Sequence, residues 1–365
     1  MKDGESKSLQ SNVGEIFNHA VNRRGFLSVA AALGLTPLLP GLSRAAAKEL
    51  VLLTWGGDTG NALVSAFLEP FCRDASLAPG HDGAGTSEGR MKSIMDSGQI
   101  PWDVMDAGVG TIQALGDKGY LEEIDYSIVD KSKVIDGFAF KYGVANYLFS
   151  YVIAYDSEKT GARAPRGWGD FWNLKEFPGK RGMRKDPQAA LEAAVMADGV
   201  PVDQVYPIDE KRAWKKLREI KKDTVFWSFG AESQQLLREG EVTMASMWST
   251  RVNALHQDTA GRCKWIWNQG IICPGMWAVP KGNPAGKDAF RFIAAAQDPT
   301  RQVDFFKRVN GGPANPQSSR LVPADMVSLD PGHPDNLNQQ LKVGAEWYGK
   351  NQSRIYDEFL DFIAS

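Results

Sequence analysis

Short apolar runs alternate with amphipathic stretches along most of this chain. The run at 50–55 ends in a glycine-rich turn, and the stretch 61–71 carries apolar residues at helical spacing. A second unit has an apolar run at 102–107, a turn at 108–110 and apolar positions again at 111–115. Each unit predicts a strand, a turn and a helix. Strands that alternate with helices predict an α/β fold with a largely parallel sheet.

Two longer strands are predicted in the middle of the chain. Residues 144–155 are rich in β-branched and aromatic types, and the segment 271–282 is similarly apolar. We expect the first strand to cross between two lobes and the second to carry the chain back. The tail at 337–362 is predicted to be helical, with aromatic residues at its apolar positions. Further helices are predicted at 187–197, 209–222, 233–239, 287–296 and 302–309, and further strands at 181–183, 225–227 and 242–248.

Length and composition narrow the choice of protein class. The 365 residues exceed the roughly 250–300 that one hydrophobic core usually supports, so two lobes with a ligand groove between them are expected. The formal net charge of −2 gives no electrostatic reason to bind nucleic acid or anionic lipid. The 11 tryptophans are candidates for lining the groove, because an indole offers a flat face for stacking; the alternative is that they fill the lobe cores.

The first 47 residues have the pattern of an export signal. Paired arginines at 23–24 precede an apolar run at 29–39, and an A-x-A cleavage site ends at Ala47. The pattern predicts a twin-arginine signal over 1–47, its removal, and a working protein in the periplasm. The apolar run is shorter than the about 20 residues that a membrane span needs. The cleavage site contains no cysteine, so a lipid anchor is not predicted.

Cysteine usage leaves one question open. The chain has three cysteines, an odd number for an oxidising compartment. The spacing of Cys263 and Cys273 permits a bridge but does not require one. At least one thiol stays free or buried in either case, and Cys72 is the third.

Motifs for catalysis and cofactor binding are missing. The segment 108–113 has two glycines of a dinucleotide-binding turn, but Gln113 stands where the third should be. The segment 282–288 is one residue too short for a phosphate-binding loop. Beyond the leader the histidines are isolated from one another in sequence, so neither a zinc site nor a histidine-centred triad is predicted. We expect no cofactor and no enzymatic activity.

Six segments spread over the mature chain occur in an order and at spacings typical of one family: 52–57, 102–104, 118–125, 167–172, 239–248 and 277–282. Together they resemble the periplasmic solute-binding proteins of ATP-driven importers, in particular the branch of spermidine- and putrescine-binding proteins. The resemblance implies two α/β lobes, joined by a hinge crossed more than once, that close on a small molecule and hand it to the permease of an ABC importer. We expect a first lobe at 48–150 plus 276–321, a second at 151–275 plus 322–365, and a monomer.

The resemblance also implies which residues line the ligand cleft. In the family they stand in turns after strands, on the strand that returns the chain to the first lobe, and near the C-terminus. Carried over position by position, they are Trp55, Gly56, Gly57, Ser87, Glu88, Asp106, Gly108, Asp186, Trp248, Gly275 and Tyr348.

The chain departs from the polyamine pattern where the ligand's charge is recognised. Polyamine binders hold an ammonium with two carboxylates three residues apart, whereas Asp186 is followed at that distance by Ala189. A polycation would lose charge-assisted hydrogen bonds of about 1.5–3 kcal/mol each, so spermidine is disfavoured. The same regions of the sequence carry positively charged residues instead: Arg184, Lys185 and Arg251.

An arginine at a strand end matches a carboxylate or phosphonate through two parallel hydrogen bonds, and Arg251 is the candidate we favour. Trp55, Trp248 and Trp277 are candidates to stack on the body of the ligand. We expect a small polar solute that is amine, polyamine-like or amino-acid-like. Two alternatives stay open: a cofactor-dependent periplasmic enzyme exported in its folded state, and a homologue that has lost its transport ligand.

Overall fold

The computed structural model describes residues 48–161 and 163–365, and the predicted export signal lies outside these residues. The strands are β1 (Glu49–Leu53), β2 (Ala78–Asp82), β3 (Val104–Gly108), β4 (Val144–Asp156), β5 (Arg181–Arg184), β6 (Thr224–Trp227), β7 (Met244–Trp248), β8 (Cys263–Ala278), β9 (Gly312–Pro313) and β10 (Leu341–Lys342).

The helices follow the strands in the alternation that the sequence predicts. They are α1 (Gly57–Leu63), α2 (Glu69–Ala75), α3 (Glu88–Asp96), α4 (Val109–Asp117), α5 (Ser157–Thr160), α6 (Trp168–Trp172), α7 (Ala190–Ala197), α8 (Glu210–Ile220), α9 (Gly230–Arg238), α10 (Ser249–Asp258), α11 (Lys287–Ala295), α12 (Pro299–Val309), α13 (Pro334–Leu337) and α14 (Ala345–Ala364). A π-helical stretch, Val64–Leu68, joins α1 to α2.

The strands form one sheet in the order β2-β1-β3-β8-β4-β7-β5-β6. Pairing is parallel among β1, β2 and β3 at one side and among β5, β6 and β7 at the other. The central pairs that involve β4 and β8 with β3, β7 and each other are antiparallel. The sheet is therefore mixed, because the two long strands run against the strands on either side of them.

β4 and β8 are the predicted crossing strands, with 13 and 16 residues. β4 pairs with β9 through Tyr147 and with β7 from Tyr151 onward, so one strand serves both halves of the sheet. β8 begins at Cys263 rather than at residue 271, because its first part alternates exposed polar and partly buried aromatic residues and lacks a continuous apolar run. The ladder between β4 and β8 shifts register at Ala145/Tyr147 and again at Tyr151/Ile153.

Each half of the sheet has its own buried layer. In the first half, Trp277 packs edge-on against Phe67 and Phe292, with ring centroids 6.0 and 5.3 Å apart. In the second half, the buried guanidinium of Arg181 donates to three backbone carbonyls, those of Phe171, Gly179 and Phe177. Buried charge is tolerated there because several donors of the guanidinium are satisfied.

The last helix, α14, packs on both halves. Its first turns lie against α4, where a Cβ on Gly110 would stand 3.3 Å from the Cβ of Tyr348, so this close approach needs a glycine. Its other end places Phe359 6.0 Å from the Trp214 ring of α8 and 6.2 Å from the Phe226 ring of β6. The helix therefore connects the first half of the sheet to the second.

All three cysteines are buried and free. Cys263 and Cys273 stand ten residues apart on one extended strand, about 33 Å at ~3.3 Å per residue, which no disulfide can span. No helix within the described ranges has the length and apolar character to cross a membrane.

Candidate functional site

The carboxyl ends of the parallel strands carry most of the predicted site. In an open α/β sheet, loops at these ends form the crevice where ligands bind. β1, β2 and β3 lead into loops at one side, and β5, β6 and β7 lead into loops at the other. We call the space bordered by these strand ends, with β4 and β8 crossing between them, the cleft.

Trp55 and its glycine turn follow β1. Trp55 is 48% exposed, which is high for an indole. Gly56 has φ +75°, and a Cβ there would run into the carbonyl of Gly83, so only glycine fits. This approach holds the loop after β1 against the loop after β2. Gly57 also has a positive φ, and a Cβ there would meet no atom within 4 Å.

Ser87 and Glu88 stand where α3 begins. Ser87 is exposed and makes no capping hydrogen bond with its side chain. Glu88 forms an ion pair with Lys118 at 2.6 Å, so its carboxylate already has a cationic partner from the end of α4.

Asp106 lies on β3, two residues before the strand ends at Gly108. Its side chain is fully buried, and burial raises its pKa to about 7. The Asn146 amide donates to Oδ1 at 2.9 Å, whereas Oδ2 is buried and has no hydrogen-bond partner among the described residues. This carboxyl is therefore only half satisfied by the described residues.

An aromatic row on β4, which we call the aromatic floor, crosses between the two sets of strand ends; Phe149 is partly exposed, whereas Tyr147 and Tyr151 are buried. Tyr147, Phe149 and Tyr151 alternate along the strand and so share one face, with ring centroids 6.2 and 6.1 Å apart. Trp248, at the end of β7, joins the row 6.4 Å from Phe149 and 6.3 Å from Tyr151. Gly275 lies under the Tyr147 ring: a Cβ there would stand 2.5 Å from its Cζ.

Arg184 ends β5 beside this row. Its Nη1 donates to the Tyr151 hydroxyl at 2.8 Å and forms an ion pair with Asp186 Oδ2 at 3.0 Å. The guanidinium carbon lies 5.0 Å from the Trp248 ring centroid, in cation–π contact. Both polar contacts use Nη1; within 48–161 and 163–365, Nε and Nη2 form no hydrogen bond. The Arg184 side chain is 26% exposed, so this free edge is accessible.

A buried network lies beneath α14. The hydroxyls of Tyr206 and Tyr348 donate to Glu192 Oε1 at 2.6 and 2.9 Å, and the Ala189 N–H donates to Oε2 at 2.8 Å. Burial raises the pKa of Glu192 to about 7, although these hydrogen bonds oppose the rise. Beside the network, the amide of Gln188 contacts the Cys273 sulfur at 3.2 Å.

The structure brings many of the predicted residues to the cleft edge: Trp55, Gly56, Gly57, Ser87, Glu88, Gly108, Asp186 and Trp248. It places two others elsewhere. Trp277 is 1% exposed within the first-half core, and the Tyr348 hydroxyl is committed to Glu192. Arg251 stands in the first turn of α10, directly after β7, with its side chain against Gly230 at the start of α9, so it stays near the strand ends. The guanidinium over Trp248 belongs to Arg184.

The aromatic floor and the Asn146 amide were absent from the predicted site. The signal for the floor is present in the sequence, since aromatic residues at 147, 149 and 151 alternate within the crossing strand. That spacing indicates one shared face but leaves open whether the face meets a core or a cleft.

Two α/β halves joined by crossing strands, with aromatic and charged side chains at the facing strand ends, define a two-lobed binding protein. The model of the bacterial extracellular solute-binding protein family matches residues 82–334. The gamma-aminobutyric acid-binding protein of Pseudomonas aeruginosa is 33% identical over 87% of this chain and 91% of its own length. The chain belongs to the bacterial extracellular solute-binding protein family.

Solved structures agree with this assignment. A GABA receptor structure has TM-score 0.81 at 30% identity, covering 87% of this chain and 98% of its own. An ABC transporter substrate-binding protein from Bradyrhizobium japonicum has TM-score 0.80 at 31% identity, covering 86% and 99%. The chain is a substrate-binding component of an ABC transporter, and its family acts outside the cytoplasm. The predicted family and fold class are confirmed.

The polyamine branch is only a distant neighbour. The spermidine/putrescine substrate-binding protein of Streptococcus pneumoniae is 16% identical to this chain, with TM-score 0.68, and shares the fold alone. The absence of a second carboxylate three residues after Asp186 agrees with this low similarity to the polyamine-binding proteins.

Proposed function

We propose that this chain binds a small amino acid in the cleft through the ligand's carboxylate and delivers it to a membrane permease. The observation that supports this most is the free edge of Arg184. Nε and Nη2 are parallel donors that match the two oxygens of a carboxylate. Because Tyr151 and Asp186 fix Nη1, the guanidinium is held in one orientation before the ligand arrives.

The aromatic neighbours support a ligand with an apolar body. Phe149 and Trp248 are only half-buried, so their rings are free to cover methylene groups. The relative from Pseudomonas aeruginosa binds gamma-aminobutyric acid (GABA), which has a carboxylate, three methylenes and an amine, and we propose GABA as the first ligand to test.

Calorimetry with GABA on the purified periplasmic protein tests this function. Arg184→Lys should weaken binding about 10- to 100-fold, because lysine keeps the charge and loses the paired donors. Arg251→Lys is the matched comparison, because Arg251 also follows a strand that ends at the cleft. It should bind GABA as the unchanged protein does if Arg184 alone holds the carboxylate. Loss of affinity in Arg251→Lys with none in Arg184→Lys would return the anion site to Arg251.

Several further features are part of the proposal. The protein is exported by the twin-arginine route and processed near Ala47, which N-terminal sequencing of periplasmic material tests. It acts as a monomer without catalysis. The lobes divide at 150–151 and 275–276, within the crossing strands, with 322–365 assigned to the second lobe; the contacts of α14 with α4 make that last segment a bridge as well.

A further inference from the structure

Asp106 is a buried acid with an incomplete set of partners. One carboxylate oxygen accepts from the neutral amide of Asn146, and the other is buried without a partner in the described chain. No cationic side chain of the described residues is in ion-pair contact with it. A buried carboxylate is costly unless a cation or several donors compensate it. The protein itself supplies neither.

Asp106 is buried on the same face of β3 as Gly108, a glycine with open space above it. Residues two apart on a strand share a face, so Asp106 and Gly108 point the same way at the end of β3. A Cβ placed on Gly108 would meet no atom within 4 Å, and Gly108 is partly exposed. A small ligand group therefore has room above Gly108, two residues along β3 from Asp106.

The aromatic row relates Asp106 to Arg184. Burial raises the pKa of Tyr147, and the negative charge of Asp106 raises it further. At the other end of the row, the Tyr151 hydroxyl accepts from Arg184. The two tyrosines are four residues apart on β4, about 13 Å along the strand. The cleft thus has a negative pole and a positive pole with apolar rings between them.

We propose that Asp106 binds the ammonium group of the ligand, so that the cleft selects amino acids whose amine and carboxylate lie at opposite ends. This rests on the proposed function, in which Arg184 holds the carboxylate. An α-amino acid carries both charges on one carbon and reaches one pole only. A chain of methylenes between the charges, as in GABA, reaches both poles and lies along the aromatic row.

Binding of three related compounds to the purified protein tests the assignment. GABA, its isomer 2-aminobutyrate and the amine-free butyrate separate the contribution of the amine from that of the carboxylate. Asp106→Asn keeps the side-chain shape and removes the charge. It should weaken GABA about 10- to 100-fold and change butyrate by less than threefold. The matched control is Asp330→Asn, a second buried acid, which sits beside Gly332 and should leave both affinities unchanged.

A second variant guards against misfolding of Asp106→Asn. Gly108→Val keeps an allowed backbone, since Gly108 has φ −70° and ψ 153°, and its Cβ would meet no atom within 4 Å. It fills the space above β3 and should weaken GABA at least tenfold with an unchanged melting temperature. Both variants weakening GABA selectively supports the proposal.

Three results would count against it. Unchanged GABA affinity in Asp106→Asn shows that the ammonium lies elsewhere, and equal losses for GABA and butyrate show that Asp106 only supports the fold. Tighter binding of 2-aminobutyrate than of GABA by the unchanged protein overturns the two-pole arrangement. A different result concerns the proposed function: if the unchanged protein binds none of the three compounds, that function fails, and this assignment fails with it.

Discussion

Tyr348→Phe should destabilise the protein, and more so at alkaline than at acidic pH. The substitution removes one hydroxyl that donates to the buried Glu192 at 2.9 Å, while the Tyr206 and Ala189 donors remain. A hydrogen bond to an ionised group contributes about 1.5–3 kcal/mol, and one between neutral groups about 0.5–1.5 kcal/mol. The protonation state of Glu192 therefore decides the loss.

The sign follows from the pKa of Glu192, which burial raises from 4.5 to about 7 in the folded protein. The contribution of Glu192 to the free energy of unfolding is fully present below pH 4.5 and is lost as the pH rises through 7. Without the Tyr348 hydroxyl the carboxylate is held less well, so its pKa rises further and more stability is lost at high pH. We expect a loss of about 1 kcal/mol at pH 5.5 and about 2–3 kcal/mol at pH 8.5.

Urea unfolding followed by tryptophan fluorescence at the two pH values measures this difference. Tyr356→Phe is the control on the same helix, because Tyr356 is 38% exposed and its hydroxyl makes no hydrogen bond within the described residues. It should change the free energy of unfolding by less than about 0.5 kcal/mol at either pH. Equal losses for Tyr348→Phe at both pH values would refute the coupling to Glu192.

Two other substitutions test the first half of the site through stability. Asp106→Asn should flatten the pH dependence of the free energy of unfolding between pH 4 and 7. The folded pKa of Asp106, about 7, lies above its ordinary 3.8, so the wild-type protein loses stability as the pH rises through this range. An unchanged pH dependence in urea titrations would contradict this. Gly275→Ala should destabilise by about 1–3 kcal/mol and weaken ligand binding, because the added methyl meets the Tyr147 ring and Asn146 Oδ1 at 2.5 and 2.7 Å; calorimetry of folding and binding measures both.

The fold was largely predictable because its signals are local and strong. The apolar run of β4 and the strand–turn–helix pattern around Gly56 and Gly108 depend on neighbouring residues, and the structure has elements at those places. The start of β8 was missed because a strand that is exposed on one side has polar residues at alternate positions. The mixed direction of the sheet depends on how distant strands pair, which local patterns do not determine.

Site residues could be predicted from the sequence only where they directly follow a predicted strand. Trp55 and Trp248 stand at such ends and face the cleft edge, whereas Trp277 stands inside a strand and packs into the core. The contact of Arg184 with Trp248 was not predicted, because it depends on the parallel pairing of β5 and β7, which brings Arg184 onto that ring. The role of Arg251 in ligand binding stays a prediction. The Tyr348–Glu192 contact joins residues far apart in sequence, so no spacing could indicate it.

The unbroken sheet has a mechanical consequence. β4 and β8 stay hydrogen-bonded to each other through the middle of the molecule, with register irregularities at Ala145/Tyr147 and Tyr151/Ile153. Any motion that brings the facing strand ends together must twist this ribbon, since no slack loop interrupts it. If the halves close on a ligand, we expect the ribbon to resist the twist elastically. The strain would then favour reopening of the cleft and release of the solute.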